Sequence, residues 1–209
     1  MRENLMTPEE RKDKFKLQTD SLYAGLGRFV VSFEQLVATM RQMISLLVSQ
    51  VPPPHHVRQQ QVANIFTADL TADPLARTFR SILLWALESY KRQEQLPTIE
   101  KLLANLCMRI DSINKTRNTF LHGTWYINYA SEDQQDFSQA NGFKATNTAK
   151  GLRLDRLEHT EESFLEAAKE CMVLQDLVSG FSTCLIFRDD ILEIYGFKDK
   201  KMVKLEVDN

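Results

Sequence analysis

The sequence predicts an all-α fold: a bundle of four to five helices with a polar loop or small β-hairpin inserted. Glycine (7) and proline (6) are scarce in 209 residues, while Leu, Gln, Glu, Lys and Arg, which favour helices, are plentiful. Apolar residues recur at spacings of three and four along most of the chain, which lays them on one face of a helix. With 43% hydrophobic content the chain can bury one substantial core and is too short for two large domains. One domain over 1–209 is therefore expected, with its core at about 20–190, the insertion at about 125–158 and a charged C-terminal tail at about 188–209.

The first helix should start at Thr7-Pro8-Glu9-Glu10, a capping box with proline at the first helical position. Gly25 and Gly27 weaken its middle, as a kink or a close packing point. From Leu26 the residues Phe29, Val30, Phe33, Leu36, Val37, Met40, Ile44 and Leu47 continue one face to about Gln50. The prolines of "VPPP" at 51–54 end it, because they lack N–H donors and clash with a continuing helix. A short helix follows in 56–66, and Asp73-Pro74 opens another with Leu75, Phe79, Ile82, Leu83, Ala86 and Tyr90 on one face. "LPTIEKLL" starts the next at about Pro97–Thr98, striped by Ile99, Leu102, Leu103, Leu106, Ile110 and Ile113.

After Gly123 the period is lost. "WYINY" is β-prone, and residues 131–151 are polar and turn-rich, a loop or a hairpin about Asn141-Gly142. Helical period returns from Thr160 through Phe164, Leu165, Ala168, Met172, Leu177, Val178, Phe181 and Leu185. From Arg188 the charged remainder should fray or fold back.

The net charge of −2 gives no global attraction to nucleic acid or anionic membranes, so a polyanion would need a local patch. Cys107, Cys171 and Cys184 form no C-x-x-C and lie in apolar helical patterns, which predicts buried free thiols in a reducing compartment. The charged N-terminus has no apolar signal region, and no window reaches the roughly 18 uninterrupted apolar residues of a membrane span. A cytoplasmic protein is expected, with no cofactor and no metal site. His55-His56 has no Cys or carboxylate at ligand spacing.

The spacing of four that carries the stripe from Ile113 lands next on Arg117. A guanidinium there requires partners. Arg117-Asn118, three intervening residues, then His122-Gly123 at a helix end resembles the R-x4-6-H motif of the HEPN superfamily, many of whose members are RNA-cleaving toxins and defence nucleases. The first long helix, "GLGRFVVSFEQLVATMRQMI", also resembles the opening core helix of such domains. The resemblance spans roughly 20–190. It implies a HEPN-like bundle and metal-independent cleavage of RNA, in which a ribose 2′-OH attacks the adjacent phosphorus and leaves a 2′,3′-cyclic phosphate. By the resemblance His122 takes the acid/base role and Arg117 stabilises the phosphate. The residue types suit it: histidines exchange protons near neutral pH, and an arginine presents a planar, permanently charged fork to phosphate oxygens.

Five residues along a helix turn through about 140°. One ideal helix cannot then aim both groups at one phosphate; either it loosens at His122-Gly123, or two copies face each other in a homodimer, as the resemblance implies. Asn118, four residues before His122, shares its face and is placed to orient the imidazole or contact substrate. The pair His122-Gly123 also reads as a plain C-terminal cap with a left-handed glycine. Glu34, at the border of the first helix's apolar face, is an accessory candidate that would pair with Arg117, or simply with its neighbour Arg41.

Lys144, Lys150, Arg153 and Arg156 face only Asp155 in charge between 140 and 157, a stretch that would follow an RNA backbone or be a solvated surface. Trp125, Tyr126 and Tyr129 would stack on bases or form a strand packed on the bundle. His159 reads as a surface residue, and Asp189-Asp190 with Glu193 as charges near a helix end. Two functions follow. The first is an endoribonuclease of a prokaryotic toxin–antitoxin or anti-phage system, cutting single-stranded RNA or a tRNA loop and restrained by a neutralising antitoxin or regulatory partner. The second is a catalytically silent HEPN-like module that binds RNA or nucleotide, or serves assembly.

Overall fold

The structure, a computed structural model, describes residues 6–49, 56–127, 137–149 and 151–205. Among these residues there are six α-helices, a short 3-10 turn and five strands in two antiparallel sheets. The protein is therefore largely helical but not all-α, and the expected class is corrected on that point. Two sheets stand where one optional hairpin was expected, and the second comes from the tail. The chain divides into two compact units, Met1–Ser32 with Thr116–Lys169 and Phe33–Lys115 with Glu170–Asn209. No glycine- or proline-rich linker marks this division, because the three longest helices each contribute residues to both units.

The first unit opens with α1 (Pro8–Val48). Its capping box forms: the Thr7 N–H donates to Glu10 Oε2 (2.8 Å), and the Glu10 N–H donates to Thr7 Oγ1 (3.3 Å). Helix α1 runs unbroken through both glycines. Gly25 is a packing point, where a Cβ would stand 3.3 Å from Phe164 Cβ, whereas Gly27 faces open space. Gly27→Ala is accordingly expected to stabilise the protein by about 0.5–1 kcal/mol, read as a raised urea midpoint. "VPPP" lies outside the described residues.

Helix α4 (Leu96–His122) ends in this unit and leads into a three-stranded sheet in the order β1-β2-β3, with β1 (Thr124–Tyr126), β2 (Gln139–Thr148) and β3 (Gly151–Thr160). The hairpin closes between Thr148 and Gly151, where Thr148 Oγ1 donates to the Gly151 carbonyl (2.8 Å) and Gly151 adopts φ +112°. The expected turn at Asn141-Gly142 is instead mid-strand, paired with Tyr126 and Trp125. Glycine is needed there for space: a Cβ at Gly142 would stand 2.7 Å from the Thr124 carbonyl oxygen and 2.8 Å from the Trp125 ring. Gly142→Ala should destabilise by about 1–3 kcal/mol, seen as a lowered urea midpoint at constant slope.

The second unit holds the remainder of α1, α2 (His56–Ala68), α3 (Ala72–Glu88) and most of α4 and of α5 (Glu161–Phe187). The predicted stripes are buried: Leu75, Phe79 and Leu83 on α3, and Ile99, Leu102, Leu106 and Ile110 on α4. Met172 is the exception on α5, at 56% exposed, because Cys171 and Leu174 turn inward there instead. Helix α5 is long and apolar enough to cross a membrane by length and composition, but Leu174, Val178 and Phe181 on it are fully buried in the protein. Arg41 donates to the carbonyls of Thr67 (3.3 Å) and Leu70 (3.0 Å), which fastens the end of α2.

The tail forms elements of its own. Beyond Arg188, α6 (Ile191–Ile194) precedes a hairpin of β4 (Tyr195–Lys198) and β5 (Lys201–Lys204). Asn105 holds this hairpin by donating to the Lys200 carbonyl (3.0 Å) and accepting from the Met202 N–H (2.9 Å). Asp190 caps α6 through the Leu192 N–H (3.0 Å) and pairs with Arg92, so this carboxylate has a structural role. All three cysteines are free and buried, and burial pushes the Cys107 thiol up to about 11 and that of Cys171 up to about 12.

Candidate functional site

Helix α4 keeps its helical form through His122, and its last turn carries the motif. Arg117 and Asn118 are half-buried and His122 is exposed. Arg117 Nη1 lies 3.3 Å from His122 Nε2 and donates to Asn118 Oδ1, also at 3.3 Å. A guanidinium only donates, so a hydrogen bond here needs Nε2 as the acceptor. The 140° turn between the two backbone positions is bridged by the length of the arginine side chain, which reaches along the helix to the ring. Asn118 thus accepts from the guanidinium, where the sequence placed it to orient the imidazole or contact substrate. Among the described residues no group of three His, Cys, Asp or Glu side chains is placed to hold a metal.

A side-chain bond closes the end of α4. Trp125 Nε1 donates to the Phe120 carbonyl (2.6 Å), one of the last-turn acceptors that the helix itself leaves unpaired. Gly123 is not left-handed. It is small because a Cβ would stand 2.8 Å from Leu157 Cδ1 and 3.1 Å from the Thr119 carbonyl oxygen. The end of α4 therefore sits against β3, and alanine at Gly123 would press on both.

Comparison with protein-family models, curated proteins and solved structures gives no match.

Behind the motif lies an aromatic cluster that the sequence did not reveal. Phe120 meets Phe29, His159 and Phe164 edge to face at centroid distances of 4.9, 4.8 and 4.8 Å, and Trp125 meets His159 at 5.6 Å. His159, expected at the surface, is half-buried and shares a hydrogen bond between its Nδ1 and Ser163 Oγ (3.3 Å). Burial holds its pKa below the ordinary 6.5. The unfolded chain takes up this proton first, so stability falls as pH drops below 6.5 and stops falling below the folded value. His159→Phe should flatten the dependence of the thermal midpoint on pH just below 6.5.

Glu34 is exposed on α1 in the second unit, and Arg41 is occupied with the end of α2. Strand alternation splits the basic group between two faces: Lys144 and Arg153 share one with Asp155, and Arg156 shares the other with Phe143 and Glu158. Arg153 Nε bonds Asp155 Oδ1 (2.7 Å) and Arg156 Nε bonds Glu158 Oε1 (2.8 Å), so each arginine already has a carboxylate. Lys150, Tyr129 and the His55-His56 side chains lie outside the described residues. In the second unit an apolar cavity of about 630 Å³ is lined by Ile44, Val62, Phe66 and Ile82, with Arg58 also on its wall.

Proposed function

We propose that the protein is a metal-independent endoribonuclease of the HEPN type, cutting single-stranded RNA or a tRNA loop. The observation that supports this best is the meeting of Arg117 Nη1 and His122 Nε2 at 3.3 Å on an exposed helix end. An entering phosphodiester draws the guanidinium onto its non-bridging oxygens, which releases the Nε2 lone pair. The 2′-oxygen bonds to phosphorus as its proton passes to Nε2, and the bond from phosphorus to O5′ breaks. O5′ takes its proton from solvent water, the imidazolium gives its own back to solvent, and the other fragment keeps a 2′,3′-cyclic phosphate. Asn118 is a positioning residue, since its Oδ1 accepts from the guanidinium.

Because both groups meet within one chain, the site in this proposal is complete in each protomer, in place of the composite site of a homodimer. A nuclease of this kind would damage its own cell, so in a toxin–antitoxin or anti-phage setting a neutralising partner belongs to the proposal.

The test is incubation with a mixed RNA pool in EDTA, with end-group analysis of the fragments. Cleavage that survives EDTA, leaves cyclic phosphate ends and disappears in both Arg117→Ala and His122→Ala is the expected result. Equimolar mixing of the two variants should restore nothing; restored activity would return the site to the composite dimer. A folded protein that binds RNA without cutting it would support the silent binding module.

A further inference from the structure

We propose that strand β3 pairs edge to edge with β3 of a second copy of this chain, joining two three-stranded sheets into one. In the order β1-β2-β3 the outer edge of β3 has no strand partner among the described residues. The strand is ten residues long, contains no proline and runs in continuous register with β2 from Thr160 to Gly151, so no bulge or twist-breaking residue blunts this edge. Its outer half also exposes apolar side chains. Leu152 is 67% and Leu154 60% exposed, and they lie on the same face as Phe143 and Tyr126, each 45% exposed.

Charge complementarity selects the partner and the register. A two-fold axis perpendicular to the sheet keeps each face with its counterpart, so the register must be centred on one residue. Centring on Arg153, Asp155 or Arg156 sets like charges directly opposite, which disfavours pairing. Centring on Leu154 places Arg153 of each copy opposite Asp155 of the other, on one face of the joined sheet. The pair that each copy already makes at 2.7 Å becomes a ring of four alternating charges. On the other face Leu154 meets its own copy, and Leu152 lies against the stem of Arg156. Centring on Leu157 also matches charges, but Leu157 and His159 are half-buried against their own unit. The exposed half of the strand, and hence Leu154, is the centre.

This pairing stands whether or not the chain cuts RNA. At the two-fold axis opposed Cα atoms approach to about 4.5–5.5 Å, within the span of a disulfide. In the full-length protein, Leu154→Cys should give a covalent dimer on mild oxidation, whereas Leu152→Cys, about four residues out of register with its own copy, should not. The three native thiols are buried and supply the background control. Sedimentation should show the wild type associating, with dissociation about tenfold easier in Arg153→Asp or Asp155→Arg and restored in the double reversal. The proposal is overturned if Leu154→Cys couples no better than Leu152→Cys, if the wild type stays monomeric, or if the double reversal does not recover what the single ones lose.

Discussion

His122→Ala is expected to lower RNA cleavage by about a hundred- to ten-thousand-fold, the usual worth of a positioned proton-transfer group. The fold should be untouched, since the ring is exposed and lies against the Arg117 guanidinium. Arg117→Lys separates charge from geometry. A lysine keeps the positive charge but loses the planar fork that can take two phosphate oxygens at once. A large loss with lysine, close to that with alanine, would show that bidentate phosphate contact matters more than charge alone. Single-turnover rates with a defined RNA, at saturating protein, make the comparison free of binding differences. Equal rates for wild type and His122→Ala would remove the nuclease reading.

The largest effect on stability is expected from Glu170→Ala. Arg109 is 8% exposed; its Nε and Nη2 bond the two carboxylate oxygens of Glu170 at 2.7 and 3.0 Å, and Nη1 donates to the Met202 carbonyl at 3.0 Å. Removing Glu170 strands a buried guanidinium, which typically costs about 3–5 kcal/mol. The Glu170 side chain is 32% exposed, so water reaches part of the site and the lower end, about 3 kcal/mol, is expected. Equilibrium urea denaturation measures the loss. Replacing both partners, as Arg109→Met with Glu170→Ala, should recover much of it, because no unpaired charge then remains. Hydrogen exchange should show β4 and β5 opening more readily in Glu170→Ala, through the contact with Met202.

The helices were legible because burial has a period. Leu75, Phe79 and Leu83, or Ile99, Leu102, Leu106 and Ile110, declare a face without reference to anything distant. The sheets were not, since their pairing depends on residues far apart in the chain. Asn141-Gly142 carries a strong local turn signal, yet the space required by Trp125 decides its conformation. The tail hairpin buries only Tyr195 and Met202, and what holds it, Asn105 and Arg109, lies nearly a hundred residues earlier. At the candidate site, Arg117 could be singled out because it interrupts an apolar stripe. Its meeting with His122 could not, because helical angles describe where side chains leave the backbone, not where a long one ends. His159 was hidden for a further reason: a histidine beside polar residues at a helix start gives no sign of the three aromatic rings around it.

The first unit is assembled from two stretches separated by most of the second, and this sets an order of events during synthesis. Phe29 reaches the ribosome exit early, but the ring it packs against, Phe120, is made some ninety residues later. At about 5–20 residues per second the front half of α1 waits on the order of ten seconds with its apolar face uncovered. During that interval Leu22 and Phe29 are available to chaperones, and any neutralising partner that recognised this face would meet the nascent chain before the arginine and histidine of the candidate site existed.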